Sequence, residues 1–260
     1  WMSENGFFRY AGKLESLPCL VEDFVYNDIN IESGNQMISA GLNNLFGEVM
    51  WFYPSSTSSV VNKMVCYNYF DSSPQRPVWT IGSLARTMWQ DSAVFSLPHA
   101  LEYDASTDTS FDVIGNTEGR TSYYEHETGT DQNRSGTITA ITANITSGDF
   151  DITQARSAQG QQTGVATFKG DGEFLMKIRR FIPDFISQTG TTRVTLELRN
   201  FPNETSASSS LGPFDITSST LKVDTRARAR SIALKIENTA SSQSWKLGTF
   251  RLDTQPDGRR

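Results

Sequence analysis

The segment TTRVTLELRN, residues 191–200, alternates apolar and polar side chains with a period of two. Successive side chains on an extended strand leave by opposite faces. Val194, Leu196 and Leu198 therefore face one way, and Arg193, Thr195, Glu197 and Arg199 the other. This is the signature of a strand with one buried face. Similar strand-like segments recur in GTITAITANITSGDFDI, GEFLMKIRRFIPDF, RSIALKIEN and SWKLGTFRLD, separated by loops rich in Ser, Thr and Gly. Helical periodicity is almost absent. The best helical stretch, SGNQMISAGLNNLFG, holds three glycines and reads as loop and short strand. The expected fold is all-β, with an antiparallel β-sandwich over residues 132–260.

The first half has a different character. EVMWFYP ends in a proline turn, and NKMVCYNYF runs into a turn-rich stretch over residues 71–77 that holds two prolines. VWTIGSLARTMW carries two tryptophans with a glycine between them and reads as two strands or one bulged strand. FSLPHALEYD and TSYYEHETG flank the polar loop ASTDTSFDVIGNTEG. Short strands with aromatic ends are the material of propeller blades, so residues 1–131 are expected to be propeller-like. The boundary is placed at the polar segment TGTDQNRSG. Hydrophobic content is only 37%, but 16 Phe, 8 Tyr and 5 Trp supply much of the burial. Trp79, Trp89, Tyr123 and Tyr124 read either as core or as an exposed sugar platform, and core packing is the favoured reading.

No run of 18 or more apolar residues occurs, so no membrane span is expected. No basic segment followed by an apolar one opens the sequence. The chain starts on Trp1 rather than Met, which suggests a processed product or the C-terminal part of a longer protein. Two cysteines, Cys19 and Cys66, fit neither a cystine framework nor a metal site and read as free, buried thiols.

Residue patterns suited to catalysis or metal binding are scarce. His99 and His126 are the only histidines, too few for a histidine-rich metal site. His126, in YEHET, reads as a surface or interface residue with Glu125 and Glu127 on the opposite strand face. There is no phosphate-binding loop, no nucleophile elbow and no Cys/His pair at catalytic spacing. No carboxylate pair stands out for glycoside cleavage, and Asn203 in NFPNETS is a glycosylation acceptor only in a secreted chain. We expect no catalytic residues, no metal and no cofactor.

Charge is the sharper feature. The net charge of −6 conceals 7 Lys+Arg against 17 Asp+Glu in residues 1–135, and 16 against 12 in the remainder. Within VDTRARARSIALKIENT, residues 223–239, the strand period puts Arg226, Arg228 and Arg230 on one face. The same parity continues into Ile232, Leu234 and Ile236, so one strand with a cationic and an apolar half is expected. Arginine pairs bidentately with carboxylate or phosphate, so the strip suits an acidic partner. As plain strand-end residues the arginines would instead be solvated or pair with Asp224, Asp215 or Asp253. The closing DTQPDGRR adds Arg259 and Arg260 after a turn, either docked on a neighbour or frayed.

VDTRARARSIALKIENTASSQSWKLGTFRLDTQPDGRR resembles the C-terminal end of tail nozzle and hub proteins of short-tailed bacteriophages. These are also described as tail tubular or packaged-DNA-stabilisation proteins. MWFYPS, VCYNYF, VWTIGSLARTMW, YYEHETGTD and SGDFDI match the expected order of the same family upstream, so the resemblance covers most of the chain. It implies a structural, non-enzymatic virion component made in the host cytoplasm. Identical subunits, typically six, would form a ring around a channel for phage DNA, next to other tail proteins on the adaptor or portal side and to fibres. It further implies that residues 1–131 are the last part of a propeller, with the upstream part missing, because members are usually longer than 260 residues. The alternative is a carbohydrate-binding β module of a tail fibre or a lectin-like adhesin.

Overall fold

The computed structural model describes residues 1–30, 32, 37–74, 76–92, 95–104, 120–134, 136–151, 174–201, 204 and 206–258. The described residues are mostly in antiparallel β-structure, and the chain divides into two compact units, Trp1–Thr128 and Gly129–Arg260. Among the described residues, no helix is long and apolar enough to cross a membrane.

The first unit begins with a three-stranded sheet of β1 (Met2–Ser3), β2 (Gly6–Tyr10) and β3 (Leu14–Leu17). A short helix, α1 (Glu22–Asp28), follows and buries Val25. A meander then runs through β4 (Ser39–Asn43), β5 (Glu48–Tyr53), β6 (Lys63–Ser73) and β7 (Arg76–Gly82), each strand paired with the next. A third sheet contains β8 (Met88–Gln90), β9 (His99–Asp104) and β10 (Arg120–Glu125), with β9 in the middle. VWTIGSLARTMW is thus two strands in two different sheets, the first of the two readings.

β5 explains the aromatic run. Trp51 and Tyr53 pack with Phe7, Leu17, Val25 and Val65 on one side, while Met50 and Phe52 pack with Val61 and Cys66 on the other. A strand covered on both faces needs a continuous apolar run rather than alternation. Gly41 on β4 has a local reason as well. A Cβ there would lie 2.6 Å from Trp89, whose ring crosses that backbone and donates from Nε1 to Leu42 O at 2.9 Å.

The second unit opens with a hairpin of β11 (Asp131–Arg134) and β12 (Thr137–Ala140), followed by β13 (Asn144–Thr146). The other strands are β14 (Met176–Ile182), β15 (Phe185–Thr189), β16 (Thr192–Arg199), β17 (Ser209–Ile216), β18 (Val223–Ala229), β19 (Ser231–Glu237), β20 (Ser244–Leu247) and β21 (Arg251–Pro256). One sheet has the order β13-β19-β16-β17, a second β18-β14-β21, and β15 pairs with β20. A single cluster draws from both larger sheets: Met176, Ile178 and Phe181 from β14, Ala227 and Ala229 from β18, and Val194, Leu196, Ile232 and Ile236 from β16 and β19. β16 alternates as expected, with Val194, Leu196 and Leu198 buried and their neighbours half-buried.

Candidate functional site

The arginine segment is two strands, not one. β18 ends at Ala229 and β19 begins at Ser231, and the two belong to different sheets. The chain passes between them at Arg230, whose backbone N–H donates to Arg199 O at 3.0 Å. This corrects the expectation that Arg226 to Ile236 share one strand face. With the break, Thr225, Ala227 and Ala229 enter the core from one sheet, and Ile232, Ala233 and Ile236 from the other. Both faces of the predicted single strand therefore contribute buried residues.

β18 is built as a ladder with one dry and one wet side. Its buried Thr225 hydroxyl donates to Ile178 O at 2.9 Å, and Ala227 and Ala229 are about 1% exposed or less. Alternation then leaves Asp224, Arg226 and Arg228 exposed. Arg226 and Arg228 are thus on one face, whereas Arg230 lies in the link and is half-buried. Arg259 and Arg260 lie outside the described residues.

The neighbouring strand adds cations that the sequence reading missed. Lys177 of β14 stands directly across from Arg228. Between Ile178 and Arg180 the β14 register shifts against both of its neighbours. Inward residues are consequently Met176, Ile178 and Phe181, and the three-residue step leaves both Arg179 and Arg180 on the solvent side. The signal is present in MKIRRFI, where apolar spacing changes from two to three.

The acids near this face are unevenly shared. Arg180 Nε lies 3.4 Å from Asp224 and 3.2 Å from Asp253, and Lys222 lies 3.1 Å from Asp224. Asp215 pairs with Arg193 at 3.1 Å. Asp224, Asp253 and Asp215, the possible partners of a plain strand-end strip, therefore serve other cations. Arg228 is held instead by Asp257, through the carboxylate and through Asp257 O at 3.3 Å. Among the described residues, Lys177, Arg179 and Arg226 have no ion-pair partner. Exposed pairs of this kind contribute only about 0–1 kcal/mol each, so the face is poor as a stabilising device. It is a concentration of positive charge on one sheet. By sequence, residues 129–260 carry 17 Lys+Arg against 13 Asp+Glu, and residues 1–128 carry 6 against 16.

The remaining residues singled out from sequence are mostly packed. Trp79 lies against Phe7, Trp51 and Tyr67 and donates to Pro18 O at 2.8 Å. Trp89 stacks on Phe52, and Tyr124 is buried; only Tyr123 is strongly exposed, stacked on His99. His126 is half-buried rather than on the open surface. Its ring lies 4.6 Å from that of Trp89, and its Nε2 accepts from Arg86 Nε at 2.8 Å. β10 stops at Glu125, and Glu127 takes a left-handed φ of 60°, so the expected strand geometry around His126 does not apply. Burial, with Arg86 adjacent, pushes the His126 pKa down to about 4. Arg86 itself is buried, paired with Glu102 at 2.9 Å and placed 4.3 Å over the Tyr124 ring. This cluster has the makings of a structural polar core, with every charged member engaged. Cys19 and Cys66 are both free thiols, the second buried.

In comparisons with known proteins, the chain matches no protein-family model and no curated sequence.

Proposed function

We propose that this chain is a structural component of a short-tailed phage tail, part of a nozzle or hub ring through which the genome passes. The observation that carries the reading is the cationic face of Lys177, Arg179, Arg226 and Arg228, set on one sheet, of which Lys177, Arg179 and Arg226 have no ion-pair partner among the described residues. A closed ring needs two different surfaces that match each other. A positive face in the second unit and a strong acidic excess in the first supply such a pair across neighbouring subunits. The family-like motifs run in order along the chain, which supports the same reading. So do the meander β4–β7, which has the strand order of one propeller blade, and the two sheets that share a core in the manner of a β-sandwich. On this reading the guanidinium groups answer to protein carboxylates. An arginine-lined channel would hold DNA phosphates and retard ejection.

Electron microscopy of the native assembly, classified for symmetry, tests the proposal. A closed ring with a DNA-wide hole supports it. A trimer, or a monomer without a channel, removes it and favours the carbohydrate-binding module of a fibre. Replacing Arg179, Arg226 and Arg228 with Ser is expected to weaken the ring while leaving the monomer folded.

A further inference from the structure

A cleft of about 650 Å³ opens in the first unit. The strand period puts Phe8 and Tyr10 on the same side of β2, and Trp51 on one side of β5 with Tyr67 and Tyr69 on β6. These five rings, with Ser16 at the rim, line the cleft. Trp51 is buried at its floor, whereas Tyr10 is 72% exposed.

Two features separate this cleft from an ordinary gap between sheets. First, it carries unengaged hydroxyls: among the described residues, Tyr10, Tyr67 and Ser16 have no hydrogen-bond partner for theirs. Second, it carries no uncompensated side-chain charge. Arg9, its one charged side chain, is bound to Glu15 at 2.7 Å and 2.9 Å, and that pairing, with Lys13 nearby, holds the Glu15 carboxyl below its usual range. The volume falls within the range of small-molecule sites. Aromatic faces bind apolar ring surfaces, and hydroxyls act as both donors and acceptors.

We infer that the cleft lined by Phe8, Tyr10, Trp51, Tyr67 and Tyr69 is a binding site for a short neutral saccharide. A sugar presents apolar C–H faces to rings and hydroxyl edges to hydroxyls, which is the pairing this lining offers. A proline-rich peptide would use the rings but offers carbonyl acceptors alone, leaving the acceptor side of the three hydroxyls unused. An anionic ligand has no unpaired charged side chain to meet, and the Trp1 ammonium already donates to Phe8 O at 2.7 Å.

The test is titration of the full chain with cellotriose, chitotriose and maltotriose, followed by tryptophan emission, with a neutral-glycan array to extend the panel. Saturable binding of a neutral saccharide is expected. Tyr10→Ala, at an exposed position, is expected to weaken it tenfold or more. Tyr67→Phe, which keeps the ring and removes the hydroxyl, is expected to weaken it several-fold. The inference is overturned if no neutral glycan binds, if binding survives both substitutions, or if a proline-rich peptide binds where saccharides do not.

Discussion

Arg86 Nε donates to His126 Nε2 across 2.8 Å, which requires His126 to be the neutral partner and to carry its proton on Nδ1. Arg86 stays charged at any ordinary pH, paired with Glu102 and lying over the Tyr124 ring. A proton on His126 Nε2 would put two donors face to face in a half-buried site.

This relationship sets a pH dependence. The folded His126 pKa of about 4 lies below the ordinary histidine value of 6.5, so between those values the unfolded chain binds more protons. Stability contributed here is complete above about pH 6.5 and is lost as the pH falls toward 4. Allowing for partial exposure, the loss is on the order of 1–2 kcal/mol. Urea midpoints for the intact chain should drop between pH 7 and pH 5. His126→Gln should flatten that drop, and an unchanged slope in the variant would sink the assignment.

Gly41 gives a second prediction. A methyl group at this position meets Trp89 at 2.6–2.8 Å, with the contact made by Cβ, Cγ and Cδ1 of the side chain. Gly41→Ala must therefore displace the indole from Phe52 and from its bond to Leu42 O. The expected cost is about 1–3 kcal/mol, the range for overpacking a filled site. A red-shifted tryptophan emission should accompany the lower melting temperature.

The thiols should be slow to react. Burial raises the Cys66 pKa to about 12, with Glu48 adding to it, and that of Cys19 to about 11. The thiolate is the reactive form, so at pH 8 both are almost wholly protonated. Alkylation is expected to be slow in the native chain, slowest at Cys66, and to accelerate in denaturant. Rapid native labelling of Cys66 would contradict its 3% exposure.

Much of this architecture is legible in the sequence. β16 announces itself because its two faces meet different media, and the alternation of Val194, Leu196 and Leu198 records that difference. The break at Arg230 does not announce itself, since no Gly or Pro marks it and the parity of Arg226 to Ile236 runs straight through. It is imposed by tertiary structure: the chain must leave one sheet at Ala229 and join the other at Ser231. Helix α1 is equally hidden, being seven residues long with no side-chain cap at Val21. In the candidate interface, Arg226 and Arg228 follow from period two alone. Lys177 and Arg179 do not, because their membership of the same face depends on a register shift and on strand neighbours about 50 residues apart. The pairing of Arg228 with Asp257, 29 residues on, is unreadable for the same reason.

That last pairing can be tested without disturbing the core. Asp257 closes the end of the cationic face, and its backbone N–H also donates to Leu175 O at 2.8 Å, while Leu175 N–H donates to Gly258 O at 2.8 Å. Asp257→Asn keeps the backbone bonds and removes only the charge. Arg228 then stands across from Lys177 without the Asp257 charge beside it, and the like-charge cross-strand pair is less compensated. The ion pair is exposed, so the expected loss of stability is small, about 0.5 kcal/mol at low salt, and shrinks as salt screens both the pair and the repulsion. Melting temperatures of wild type and variant should therefore converge as salt rises toward about 1 M. A gap that persists at high salt would mean that Asp257 acts through its packing and hydrogen bonds rather than through its charge.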